Sequence, residues 1–183
     1  MRDRQAKNIG LAIVGAGRVG LFRGEVAARH AQVGWIGIAE KNPERAKLIA
    51  EKLKADFVTT DYRELLNRPE VNATIISTDE HLHVDPILLA AERKHSLMIE
   101  KPLATDLGDS ARVLAAIQAA GVDAVGLVVN ATDEEFMAIR AAASITLWQF
   151  HGDESPEECE RLAAGRPWMK AARVGAGFAF DDF

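Results

Sequence analysis

The stretch IGLAIVGAGRVG, residues 9–20, limits what this chain can fold into more than any other, because an apolar run stops at three glycines and passes into a helical pattern. Gly15, Gly17 and Gly20 match GxGxxG. In a dinucleotide-binding turn the first glycine permits the tight bend, the second lets the backbone approach a pyrophosphate, and the third lets helix and strand pack closely. The phosphates would then sit on the helix N-terminus that Arg18 and Val19 open, where free N–H groups favour negative charge. An ordinary strand-to-helix turn is the plain alternative, and the following residues weigh against it. A second apolar run, Val33 to Ala39, ends at Glu40, about 20 residues past the last glycine, where a carboxylate meets the adenosine ribose hydroxyls. Its charge would repel a 2′-phosphate and so favours NAD, while Lys41 beside it keeps NADP as the alternative. A solvated carboxylate at a strand end is the other way to read Glu40.

The rest of the first two thirds continues the alternation. NPERAKLIAEKL predicts a helix with Asn42 as N-cap, Pro43 at its first position, and Ala46, Ile49, Ala50 and Leu53 on a buried face. Residues 56–60 read as a short strand, and Asp61 with Glu64 has capping-box spacing. Ala73 to Ser77 is a buried-type strand, followed by TDEHLH and a helix with Val84, Ile87, Leu88 and Ala91 on one face. Leu97 to Ile99 is the next strand, and Asp106 to Ala120 the next helix, ended by Gly121. Strands alternating with helices in this way predict a Rossmann-like, doubly wound parallel α/β sheet, whose ligands bind beyond the carboxyl ends of the strands.

Three segments meet at that edge: the glycine loop, Ser77 to His83, and Glu100-Lys101-Pro102. Lys101 is the candidate catalyst, because a lysine beside a carbonyl or alcohol carbon can exchange a proton with its oxygen as hydride arrives or leaves. Partial burial would lower its pKa, and Glu100 would orient it or raise it again. Pro102 would stiffen the turn, in either the cis or the trans form. A solvated Glu100–Lys101 pair is the bland alternative. His81 and His83 flank the same edge, where a histidine either touches cofactor or substrate or simply packs at a helix start.

Composition excludes several classes. With 48% hydrophobic residues in 183 and a net charge of −5, the chain is globular and offers no electrostatic reason to bind nucleic acid or an anionic membrane. MRDRQAKN lacks the apolar core of a signal peptide, no run approaches the roughly 18 apolar residues of a membrane span, and the single Cys159 has no disulfide or zinc partner. A cytoplasmic protein without a metal site is the expectation.

Residues 9 to about 124 resemble the N-terminal domain of the Gfo/Idh/MocA oxidoreductases. The features that carry the likeness are VGAGRVG, the acid in IAEKNPERA, TDYRELLNRPEVNATIISTDEHLH and above all IEKPLATDL. The resemblance implies a Rossmann domain with bound nicotinamide dinucleotide, Lys101 assisting hydride transfer on a sugar, cyclitol or related polyol, and Ser77, Thr78, His83 and Glu100 lining the cofactor cleft. That family continues into a substrate domain, whereas here the chain continues differently.

Read from its residues, the tail repeats the α/β pattern. Gly126 to Val129 is a strand, and Thr132 with Glu135 caps a helix with Phe136, Ile139 and Ala143 inward. Ile145 to Phe150 is a strand, Ser155-Pro156 with Glu158 opens a helix, and Trp168 to Val174 is a last strand. The segments GLVVNATDEE, QFHGDESPEEC and KAARV resemble the third to fifth strands of phosphoribosylanthranilate isomerase, an eight-stranded barrel enzyme. That likeness implies Asn130, His151 and Arg173 near substrate-facing strand ends. The isomerase's catalytic cysteine and aspartate belong to strands not matched here, and Cys159, Asp181 and Asp182 do not correspond to them, so isomerase activity is not expected.

The chain thus reads as a hybrid, with a Rossmann domain over 1–124 and a βαβαβ barrel fragment over 125–183, either packed on the first part or continuing its sheet. An exposed strand edge in such a fragment predicts packing or self-association. Two functions remain: an NAD-dependent oxidoreductase acting through Lys101, or a non-catalytic binding module or fold chimera that holds cofactor without turnover.

Overall fold

The computed structural model describes residues 8–122 and 124–172, which fall into two compact units, Met1–Val122 and Asp123–Phe183. The first alternates strands and helices as β1 (Ile9–Val14), α1 (Arg18–Ala28), β2 (Val33–Ala39), α2 (Pro43–Leu53), β3 (Phe57–Thr59), α3 (Tyr62–Leu66), β4 (Ala73–Ile76), α4 (Val84–Glu92), β5 (Ser96–Ile99) and α5 (Leu107–Ala120). The strands are parallel in the order β3-β2-β1-β4-β5. The chain runs outward from β1 through β2 to β3, then returns to the other side of β1 for β4. That reversal opens a crevice at the carboxyl ends of the central strands.

Local chemistry explains the elements. On α1 the buried residues are Gly20 and Gly24, and a Cβ on Gly24 would stand 2.6 Å from the Leu53 side chain and 2.8 Å from that of Ile13. Small residues therefore let α1 lie close on the sheet. Helix α2 starts as its sequence predicts, with the Asn42 side chain accepting from Arg45 N–H at 3.0 Å, and Ala46, Ile49 and Leu53 are buried. A core of Leu11, Ile13, Ile36, Ile38, Ile49, Leu53 and Ile75 joins α2 to the sheet. The expected Asp61–Glu64 capping box does not form. Asp61 caps Arg63 N–H at 2.9 Å, while Thr59 Oγ1 donates to the Glu64 carboxylate at 2.6 Å, so this short helix surrenders its third-position acid to the preceding strand.

The second unit runs β6 (Val125–Val128), α6 (Asp133–Ala142), β7 (Leu147–Phe150), α7 (Pro156–Ala163) and β8 (Trp168–Lys170), with parallel strands in the order β6-β7-β8. Both helices begin with the complete capping boxes that Thr132–Glu135 and Ser155–Glu158 predict. The three strands form a sheet of their own and do not continue the first one. Their pairing follows from their own core, in which the Phe136 and Trp148 rings lie 4.3 Å apart with Phe150, Cys159 and Leu162 around them. Gly126 is required there, since a Cβ would come within 2.6 Å of the Trp148 ring. Ile139, expected inward, is 37% exposed because Phe136 already fills the space over Trp148. The last strand stops at Lys170, and the expected continuation toward Val174 includes residues outside those described, Arg173 among them.

Candidate functional site

Strand register brings the candidate residues into one row. Val14 pairs with Ala39 and with Ile76, Ile76 pairs with Ile99, and Ala39 pairs with Thr59, so the next residues along are Gly15, Glu40, Ser77, Glu100 and Thr60. Backbone hydrogen bonds continue past the strand ends, from Gly15 N–H to Ala39 O at 2.9 Å and from Ser77 N–H to Val14 O at 2.9 Å.

The three glycines differ in what surrounds them. Gly15 has φ +82°, and a Cβ on it would lie 2.6 Å from Thr78 N. A Cβ on Gly20 would lie 2.1 Å from Gly15 O. Gly17 has nothing within 4 Å of that position, so it faces open space at the mouth of α1. Helix α1 carries no side-chain cap and no acid in its first turn, and Arg18 and Val19 at its start are exposed. Its first N–H groups are thus free to meet an anion.

Glu40 is only 7% exposed. One of its oxygens accepts from Ala16 N–H at 3.0 Å, the other from Asn42 N–H at 3.0 Å, and Arg45 stands 3.4 Å from the latter. It therefore ties the end of β2 to the glycine loop, a role that spacing alone did not suggest. A carboxylate has about four acceptor positions, which leaves capacity for ribose hydroxyls. Ser77 Oγ likewise donates to Gly15 O at 2.9 Å. The Thr78 hydroxyl is buried without a hydrogen-bond partner, and Thr78 lines the cavity above the loop.

That cavity has a volume of about 610 Å³ and lies wholly within the first unit. Glu40, Lys41, Gly15, Gly17, Ser77 and Thr78 are among its walls. Arg45, Tyr62, Arg63 and Arg112 line it too and escaped sequence reasoning. The signal that would have found Tyr62 and Arg63 is the adjacency of β3 to β2, which no local pattern encodes. Arg63 lies over the Tyr62 ring at 4.5 Å. Burial raises the Tyr62 pKa, with Arg63 acting against it.

Three candidates differ from expectation, since Glu100, Lys101 and His83 are not among the walls of the cavity. Lys101 is exposed rather than partly buried and is not a cavity wall, because its turn projects beyond the end of β5. The Lys101–Pro102 peptide is cis. Glu100 is held by an ion pair with Arg23 of α1 and accepts from Lys101 N–H at 3.3 Å. His83 is 1% exposed and does not line the cavity, whereas His81 does. The His83 ring lies between two carbonyls, with Nδ1 2.9 Å from Pro102 O and Nε2 3.1 Å from Thr78 O. Each ring nitrogen thus faces one backbone carbonyl, and which of them donates depends on the tautomer.

In the second unit, Asn130, at φ 49°, is engaged in a closed polar cluster. Its N–H donates to Glu154 at 2.6 Å, Asp153 N–H donates to its side-chain oxygen at 2.6 Å, and Lys170 donates to Glu154 at 2.9 Å. His151 is exposed, and Cys159 is buried with its thiol pKa pushed up chiefly by that burial. Among the described residues, no three His, Cys, Asp or Glu side chains gather to hold a metal ion, and no helix is long and apolar enough to cross a membrane.

The geometry agrees with what the chain is similar to. The model of the oxidoreductase family GFO_IDH_MocA, described as an NAD-binding Rossmann fold, matches residues 9–127. Over 116 residues the chain is 36% identical to 2,7-anhydro-N-acetylneuraminate hydratase of Mediterraneibacter gnavus, covering 63% of this chain and 30% of that protein. The crystal structure of KijD10, a 3-ketoreductase from Actinomadura kijaniata in complex with TDP-benzene and NADP, superimposes with a TM-score of 0.56 at 25% identity, covering 63% of this chain and 36% of that one. A shorter segment of 62 residues is 47% identical to N-(5'-phosphoribosyl)anthranilate isomerase of Methylibium petroleiphilum, covering 34% of this chain and 28% of the isomerase. The chain thus spans about a third or less of the length of each of these proteins.

Proposed function

The chain belongs to the GFO_IDH_MocA oxidoreductase family and carries its NAD-binding Rossmann domain, and from that premise we propose that residues 9–120 grip a nicotinamide dinucleotide, with NAD preferred over NADP. One observation carries the reading: Gly17 opens onto free space at an uncapped helix N-terminus, a step away from the buried carboxylate of Glu40. The backbone N–H groups of the first turn of α1 would take the pyrophosphate, helped by the helix dipole. Glu40 would accept from the adenosine ribose with the oxygen capacity that Ala16 and Asn42 leave free, and its charge disfavours a 2′-phosphate. Lys41 and Arg45 at the same rim soften that preference. Thr78 is a wall of the same cavity, and its buried hydroxyl has no partner within the fold.

When bound, the dinucleotide supplies hydride chemistry at its nicotinamide ring. Lys101 would hold or release a proton at Nζ as the substrate oxygen gains or loses charge, and Glu100, anchored by Arg23, fixes the turn from which Lys101 projects. A sugar, cyclitol or related polyol is the proposed substrate class. The support is that matching proteins include one named for an anhydro-neuraminate and one named as a 3-ketoreductase. Those two names describe different reactions, and the exposure of Lys101 favours weak or absent turnover by these residues alone.

A titration of the purified protein with NADH and NADPH, followed by nicotinamide fluorescence, tests the reading. Saturable binding that prefers NADH is expected, and absence of binding to either overturns it. Turnover is tested separately with Lys101→Ala. Equal NADH affinity with lost polyol oxidation supports the catalytic role, whereas no turnover in either protein leaves a binding module.

A further inference from the structure

The buried ring of His83 bridges the loop after β4 and the loop after β5. Strand order assigns these loops to one half of the crevice. Glu40 follows β2 on one side of β1, while β4 and β5 lie on the other. A dinucleotide lying across the crevice puts adenosine over the β2 side and nicotinamide over the β4–β5 side. His83 itself is held at the start of α4 by the bond from Ile87 N–H to its carbonyl at 3.1 Å.

We propose that His83 is a positioning residue that ties Thr78 to Pro102 and so sets the affinity of the nicotinamide half of the cleft, without touching the ligand itself. The inference rests on the cofactor reading above. At one end the ring restrains the loop at Thr78, a residue of the cavity wall; at the other it restrains the turn that carries Lys101. Neither loop has a regular ladder partner at these carbonyls. Removing the ring deprives a part-buried loop carbonyl of its donor and separates the two loops that the ring spans, and a carbonyl left unpaired costs free energy.

A histidine that merely fills space would affect all ligands alike, so the test compares NADH with ADP. ADP spans only the adenosine and pyrophosphate contacts. In His83→Ala, NADH affinity is expected to fall about tenfold or more, on the scale of one lost buried hydrogen bond, while ADP affinity stays within about twofold of the unsubstituted protein. ADP binding also certifies that the variant is folded. His83→Asn keeps a donor at the Nδ1 end and His83→Gln at the Nε2 end, and each should recover part of the lost NADH affinity. Unchanged NADH affinity in His83→Ala overturns the proposal, as does an equal loss of ADP and NADH, or a loss that neither conservative variant recovers. If the unsubstituted protein binds ADP but not NADH, the cofactor reading itself fails, and this inference with it.

Discussion

The contrast among the three glycines is a prediction about single residues. A side chain at Gly17 meets nothing in the fold, so Gly17→Val should leave the melting temperature nearly unchanged and abolish NADH binding by occupying the pyrophosphate position. Gly20→Ala does the reverse, because its Cβ would collide with the Gly15 carbonyl. Overpacking of this kind should lower stability by about 1–3 kcal/mol, read as a lower urea midpoint. Retained NADH affinity in the first variant, or an unchanged midpoint in the second, would contradict the assignment. The triplet was legible in the sequence because each glycine answers a local demand. The parts played by Glu40, Ser77 and His83 as ties were not, since each depends on which backbone group lies opposite after folding. Glu40 shows the limit well: its distance from Gly20 in sequence marks a carboxylate at the end of β2, yet says nothing of the Ala16 N–H that it captures.

Elements with strong local signals appear where their residues put them: α2, α6 and α7 begin at the expected caps, while Asp106, expected as the first residue of the next helix, caps α5 instead. What local pattern could not supply was neighbourhood. The placement of β3 beside β2 brings Tyr62 and Arg63 to the cavity, and the aromatic core of the second unit keeps β6–β8 in their own sheet. That sheet is held at its carboxyl end by the ion pair of the buried Glu154 with the half-buried Lys170. Burial opposes the charged form of Glu154, but the Lys170 bond and the N–H groups around it prevail and keep its pKa below the ordinary value. A carboxylate depressed in the folded state stabilises fully above the unfolded glutamate range, about pH 4.3, and loses that contribution as the pH falls through its folded value. Emission from the buried Trp148 should therefore stay constant down to about pH 5 and change below it. In Lys170→Met the carboxylate is left without its cation, with an expected cost of about 3 kcal/mol or more in the unfolding of this unit. A cost below about 0.5 kcal/mol would show the pair to be dispensable.

At the scale of the molecule, two units with separate sheets and separate cores should respond separately to ligand. NADH at one hundred times its dissociation constant stabilises whatever binds it by about 2.7 kcal/mol. Hydrogen exchange should report that gain in peptides from β1, β2 and β4 and none in peptides from β6 to β8. Equal protection in both would mean that the two behave as one cooperative body. Every wall of the cavity comes from between Val14 and Arg112, ahead of the point where the first unit ends. A hold on the cofactor that is written entirely in one contiguous stretch can change hands as a single piece of genetic text. If the proposed site holds the dinucleotide, whatever sequence is joined after it inherits a cofactor already in place and has only to contribute something for it to act upon.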